Sequence, residues 1–143
     1  MNDAVMIAAA EVTPQILTEW LNDSLKPNVE FVVEDNKVLF KKETVIYTIE
    51  VAAEAQLLRF KTQLPRIENK KDEELQTIND HLIFYANRQA KKGLGCIGIV
   101  VDSHEDYLLC YYNLTFTGGL IKENFVDTFR NFLFSSLYWM QTA

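Results

Sequence analysis

The stretch "VEFVVEDNKVLFKK", Val29–Lys42, decides the fold. Apolar and polar residues alternate on both sides of "EDNK", and a period of two is that of a strand with one covered and one wet face. Asp and Asn between the runs favour a turn because their side chains bond their own backbone. "TVIYTIEV" and "LLRFKTQL" carry the alternation on, so the four runs read as an antiparallel meander. Phe31, Val33, Leu39, Tyr47, Ile49, Leu58 and Phe60 are assigned to its covered side, and Arg59, Lys61 and Gln63 to the water side.

Outward from the meander the period changes to that of a helix. Upstream, Thr13 is an N-cap followed by Pro14 at the first helical position, where the missing N–H costs nothing. Ile16, Leu17, Trp20 and Leu21 then repeat at helical spacing, and the helix ends before Pro27. Downstream, Pro65 closes the last strand and "ENKKDEELQTINDHLIFYANRQAKKG" forms a second helix, acidic in its first turn and basic in its last, as the helix dipole favours. "CIGIVVD" and "YLLCYYNLTF" are two strands joined through "DSHED"; after a turn at Gly118-Gly119, "IKENFVDTFRNFLFSSLYWMQ" is a final helix with Phe125, Phe129, Phe132, Leu133, Ser136 and Met140 on one face. The order is α-ββββ-α-ββ-α. The fold class is α+β: an antiparallel sheet, meander plus C-terminal hairpin, with helices packed on one face. Residues 1–12 are expected to be an N-terminal extension and residues 13–143 a single domain.

A chain of 143 residues, 48% apolar and 24% charged, has the composition of one globular domain. At this length folding buries roughly 68–70% of the chain's surface, so neither metal nor disulfide is required for stability. Fourteen Lys and Arg against twenty Asp and Glu leave a net charge of −6, which repels phosphate backbones and argues against nucleic acid as partner. The apolar run Ala4–Ala10 lacks a basic start and is too short to span a bilayer, so no membrane association and a cytoplasmic location are expected, with Cys96 and Cys110 reduced.

Three stretches offer candidate chemistry. "GLGCIG", Gly93–Gly98, has the spacing of a dinucleotide-binding fingerprint, but that motif needs a strand before the glycines and a helix after them, so that the phosphate meets the helix's N-terminal amides. Here the order is reversed, and Gly93 suits a helix C-cap instead. His104 with Asp102, Glu105 and Asp106 could bind a cation, yet five polar residues between two apolar runs are what a hairpin loop requires, and the other histidine, His81, lies mid-helix. Ser135 and Ser136 have no adjacent base, and neither G-x-S-x-G nor H-E-x-x-H occurs. No catalytic, cofactor-binding or metal-ligating residue is assigned, and no cofactor is expected.

From "TPQILTEWL" through "LPRIENKKDEELQTIN" and "GIVVDSHEDYLLCYYNLTFTGGL" to "FVDTFRNFLFSSLYW", about residues 13 to 140, the chain resembles the YbjN-like family of bacterial sensory transduction regulators, whose layout is close to that of the type III secretion chaperones. The shared marks are a proline ending the meander, Ile78-Asn79, the acidic hairpin turn Asp102–Asp106, a glycine turn and the aromatic helix end Tyr138-Trp139. None is a catalytic motif. The resemblance implies an α+β domain, homodimeric, that binds polypeptide or regulates without chemistry. The alternative is a small cytosolic enzyme or a ligand- or metal-binding domain with an unrecognised site.

Some apolar residues are left over once the core is assigned. Phe134 and Tyr138 fall on the far side of the last helix, Phe84 projects opposite its helix's Leu75, Ile78 and Leu82 stripe, and in "YLLCYYNLTF" both alternating sets are apolar, so that Tyr111 lies on one face and Cys110 on the other. Phe84, Tyr111, Phe134 and Tyr138 are therefore the candidate interface residues, for a second copy of the chain or for a protein segment, unless the run Val5–Ala10 folds back over them.

Overall fold

The computed structural model describes residues 5–25, 30–42, 45–65, 73, 76, 77, 80, 100–104 and 107–142. Helix α1 (Pro14–Ser24) starts where the sequence places it: Thr13 Oγ1 accepts the Ile16 N–H at 3.3 Å and Pro14 occupies the first turn. Leu17, Trp20 and Leu21 are its buried face. The meander follows as β2 (Phe31–Glu34), β3 (Lys37–Lys42), β4 (Val45–Ala52) and β5 (Leu57–Pro65). The hairpin β6 (Val100–Ser103) and β7 (Tyr107–Thr115) joins the far edge through β7, giving a six-stranded antiparallel sheet in the order β2-β3-β4-β5-β7-β6. The C-terminal helix α2 (Lys122–Thr142) closes the chain.

Both helices cover the same face of the sheet. Val38 and Phe40, Tyr47 and Ile49, Leu58 and Phe60, and Leu108 and Cys110 point into this layer, and all are buried. Aromatic rings knit it together: Phe129 meets Phe40 at 5.7 Å between ring centres, Phe132 meets Phe60 at 5.9 Å, and Phe125 meets Trp20 at 6.2 Å and Phe60 at 6.0 Å. Burying each such side chain contributes about 1.5–3 kcal/mol, with offset and edge-to-face ring geometry adding to it.

One assignment is corrected. Leu39 is on the open face of the sheet, because β2 and β3 are joined by the two residues Asp35 and Asn36, which fixes Glu34 opposite Lys37, Val33 opposite Val38 and Phe31 opposite Phe40. Residues directly opposite share a face, so Val38 and Phe40 join Phe31 and Val33 while Leu39 turns outward with its partner Val32.

Residues 6–12 pack on the body of the fold. β1 (Met6–Ile7) pairs with β8 (Leu120–Ile121), a single turn of 3₁₀ helix spans Ala9–Glu11, and Val12 is in the core. This run reaches the start of the C-terminal helix and leaves Phe134 exposed. Glu73, Gln76, Thr77 and Asp80 are helical, with Thr77 Oγ1 donating to the Glu73 carbonyl at 3.0 Å. The rest of the second predicted helix, including Phe84, and the stretch Gly93–Gly98 with Cys96 lie outside the described residues.

Candidate partner-binding face

The face of the sheet away from the helices is built by strand register. One row of directly opposed residues crosses all six strands: Val32, Leu39, Thr48, Lys61, Tyr111, Val100. A second row alternates in charge through Glu34, Lys37, Glu50 and Arg59 to Asn113. A third brings Lys41 opposite Ile46, and Leu109 between Gln63 and Asp102. Val32, Ile46 and Val100 are 52%, 56% and 47% exposed, so apolar side chains stand open on both edge strands and on β4, around a polar centre of Thr48 and Lys61.

Glu50 is the electrostatic hub. Its carboxylate lies 3.6 Å from Arg59 and 3.7 Å from Lys61, and Arg59 Nε also donates to Asn113 Oδ1 at 3.3 Å. One carboxylate thus faces two cations, at separations that make loose ion contacts rather than hydrogen bonds. Two shallow hollows, of about 370 and 230 Å³, lie beside it. Ile46, Gln63 and Leu109 line the first, Glu34, Asp35 and Lys37 the second, and Thr48 and Lys61 line both, making one trough.

Of the four interface candidates, Tyr111 is on this open face, half-buried beside Lys61. Phe134 is 46% exposed on the outer side of the C-terminal helix, near the ion pair of Asp127 and Arg130 at 3.7 Å. The helix layer stands between them, so Tyr111 and Phe134 belong to opposite sides of the molecule. Tyr138 is on the same helix, with its side chain outside the described residues, as is Phe84. Sequence reasoning passed over Ile46 and Val32; the signal was in "TVIYTIEV", where Ile46 is apolar although Thr48 and Glu50, on the same alternate set, are polar.

The other candidates resolve individually. The His104 N–H donates to the Tyr107 carbonyl at 2.9 Å and its ring stacks on Tyr107 at 4.5 Å, the geometry of a closed hairpin end. Among the described residues no three His, Cys, Asp or Glu side chains group so as to hold a metal ion, and no helix is long and apolar enough to cross a membrane. Cys110 is a free thiol buried between sheet and helices, and burial pushes its pKa up to about 12. Ser136 is buried and donates to the Phe132 carbonyl at 2.8 Å, so its hydroxyl serves the helix.

No protein-family model matches the chain, and no curated protein does. Among solved structures, a chain in the crystal structure of the ExsC–ExsE complex is similar over 90% of this chain and 90% of its own, with a TM-score of 0.53 and 15% sequence identity. At that identity the similarity is one of fold. It agrees with the class read from the sequence: α+β, an antiparallel sheet with helices on one face.

Proposed function

We propose that this chain is a non-enzymatic protein-binding module, chaperone-like in architecture, homodimeric, cytoplasmic and related to the YbjN-like regulators. The observation that carries this reading is the half-clad sheet. Its helix side is sealed by interlocked aromatics, while its open side offers Val32 with Leu39, Ile46, and Leu109 with Tyr111, set around Thr48, Lys61 and Gln63. Several apolar side chains left open on one sheet face, interleaved with polar and charged ones, have the mixed character of a surface used against another polypeptide. The fold neighbour supports the same reading, since it is held in a complex of two proteins. Tyr111 belongs to the partner-binding face in this scheme. The dimer contact is assigned to the outer side of the C-terminal helix through Phe134, with Phe84 and Tyr138 as further candidates on sequence grounds.

The test combines analytical ultracentrifugation with co-purification from cell extract, using the wild type, Ile46→Ser and Phe134→Ser. Both substituted side chains are about half exposed, so both variants should fold. The expected result is a wild-type dimer that Phe134→Ser dissociates, and a co-purifying protein that Ile46→Ser loses. A wild type that is monomeric at micromolar concentration and brings nothing with it would overturn the reading.

A further inference from the structure

The trough on the open face is ordered in charge along its length, and that order specifies an occupant. At one end Ile46 and Leu109 make an apolar wall, with Gln63 between them. In the middle stands Lys61, its side chain 31% exposed, sharing the single Glu50 carboxylate with Arg59, so that positive charge is left over facing the trough. At the other end Glu34 and Asp35, at the β2–β3 turn, set two carboxylates against the one ammonium of Lys37.

We propose that this trough binds an extended segment of a partner polypeptide whose side chains run apolar, acidic, basic, with the apolar side chain against Ile46 and Leu109, the acidic one on Lys61 and the basic one at Glu34 and Asp35. The assignment rests on the protein-binding reading above and names the chemistry of the partner. The spacing is set by the sheet. Gln63 is two residues beyond Lys61 on the same strand, about 7 Å, which is the distance between alternate side chains of an extended chain. From Lys61 to the turn the trough crosses two to three strands at ~4.8 Å each, about 10–14 Å, the reach of three to four extended residues. The occupant therefore has its acidic residue two positions from the apolar one and its basic residue three or four positions further on. A segment so patterned meets a complementary charge at each polar position, which selects it against a segment with the two charges exchanged.

The probe is a capped, fluorescein-labelled peptide with leucine, glutamate and lysine at those spacings and serine elsewhere, compared by fluorescence anisotropy with a counterpart in which glutamate and lysine are exchanged. A version of each with the chain direction reversed covers both ways of lying in the trough. The wild type is expected to prefer the glutamate-centred peptide by about tenfold, equivalent to ~1.4 kcal/mol. Lys61→Glu should cancel that preference, since Glu34 and Asp35 still favour lysine at their end, and Ile46→Ser should weaken both peptides. Lys61→Met, which places no new charge beside Glu50, guards against loss of fold in the charge-reversed variant and should reduce the preference to the part that Glu34 and Asp35 supply, about threefold.

Equal binding of the two peptides by the wild type, no saturable binding of either at millimolar concentration, or a Lys61→Glu variant with unchanged preference would overturn the proposal. So would a dimer that Ile46→Ser dissociates in a wild type blind to both peptides, because a second copy would then occupy the face. Failure here is separable from failure of the broader reading: a protein co-purifying equally with wild type and Lys61→Met leaves protein binding standing and removes the trough from it.

Discussion

Gly119→Ala is the substitution on which the structure makes its sharpest demand. Gly119 closes the turn after β7, its N–H donating to the Phe116 carbonyl at 2.9 Å, with φ at +126°. That region is reached almost only by glycine, and holding another residue there costs on the order of 1–3 kcal/mol. A Cβ would also stand 2.6 Å from Met6 Cε and 2.7 Å from the Ile7 carbonyl oxygen. Met6 is exposed and its methyl can swing aside, but the carbonyl is backbone, so β1 has to move off β8. That puts at risk the Lys122 N–H to Val5 carbonyl bond of 2.8 Å, worth about 1 kcal/mol, and its neighbours in the pair. The expected total is about 2–5 kcal/mol.

Gly118 supplies the control. Its φ is +85° and nothing lies within 4 Å of a built Cβ, so Gly118→Ala costs the backbone conformation alone, about 1–2 kcal/mol. For a chain of this length about 3 °C of melting temperature corresponds to 1 kcal/mol, so circular dichroism melts should fall by about 6–15 °C for Gly119→Ala and about 3–6 °C for Gly118→Ala. Repeating both in a chain lacking residues 1–7 completes a double-mutant cycle. The contact part of the Gly119 penalty should vanish there and the conformational part remain. Equal penalties at the two glycines in the full chain, or a Gly119 penalty untouched by the deletion, would refute the role given to β1.

The remaining predictions concern the core, its edges and one thiol. Folded Cys110 keeps its proton up to about 12 against an ordinary value of 9.0, so above pH 9 the unfolded state binds fewer protons; the Cys110 contribution is complete below pH 9 and is lost as pH rises towards 12, and Cys110→Ala should remove that slope from denaturant titrations. In a Cys96→Ser background, Cys110 should resist thiol reagents at pH 8 until the chain is unfolded. Gln56 holds φ at +51°, so Gln56→Gly should be neutral or stabilise by up to ~1 kcal/mol, read as an unchanged or raised melting temperature. Phe132→Ala, fully buried against Phe60 and Tyr47, should cost about 3–5 kcal/mol, whereas Phe134→Ser two residues on should cost under ~1 kcal/mol in the dissociated chain. Val38→Thr buries a hydroxyl and should cost about 1–3 kcal/mol, while Leu39→Thr on the open face should cost less than ~1 kcal/mol; the reverse ranking in urea titrations would restore Leu39 to the core.

The elements of this fold were legible because each has a local cause that the sequence prints: the Thr13-Pro14 start, the alternation of "TVIYTIEV", the glycine pair before the last helix. What failed at Leu39 was a non-local inference. "KVLF" contains three consecutive apolar residues, so its own alternation cannot say whether Val38 and Phe40 or Leu39 faces inward. The choice belongs to the turn, since a loop of two residues makes opposed positions sum to a constant and hands Phe31's face to Phe40. Asp35 at φ +54° is that loop's signature, and "ED-N-K" read as a two-residue connection would have settled the matter from sequence. The β1–β8 pair had no comparable signal, because two residues are too few to show a period and the pairing joins positions 6 and 121. The trough is illegible for a related reason. Its residues come from β2, β3, β4, β5 and β7, and only the accumulated register of four strand pairs brings Lys61 level with Thr48 and Tyr111 while setting Ile46 and Leu109 two residues to one side. A chemical site that is a product of register is visible in a sequence only after every turn in the sheet has been read correctly, and a single slip of one residue on β5 would turn Lys61 inward and replace it with buried Thr62.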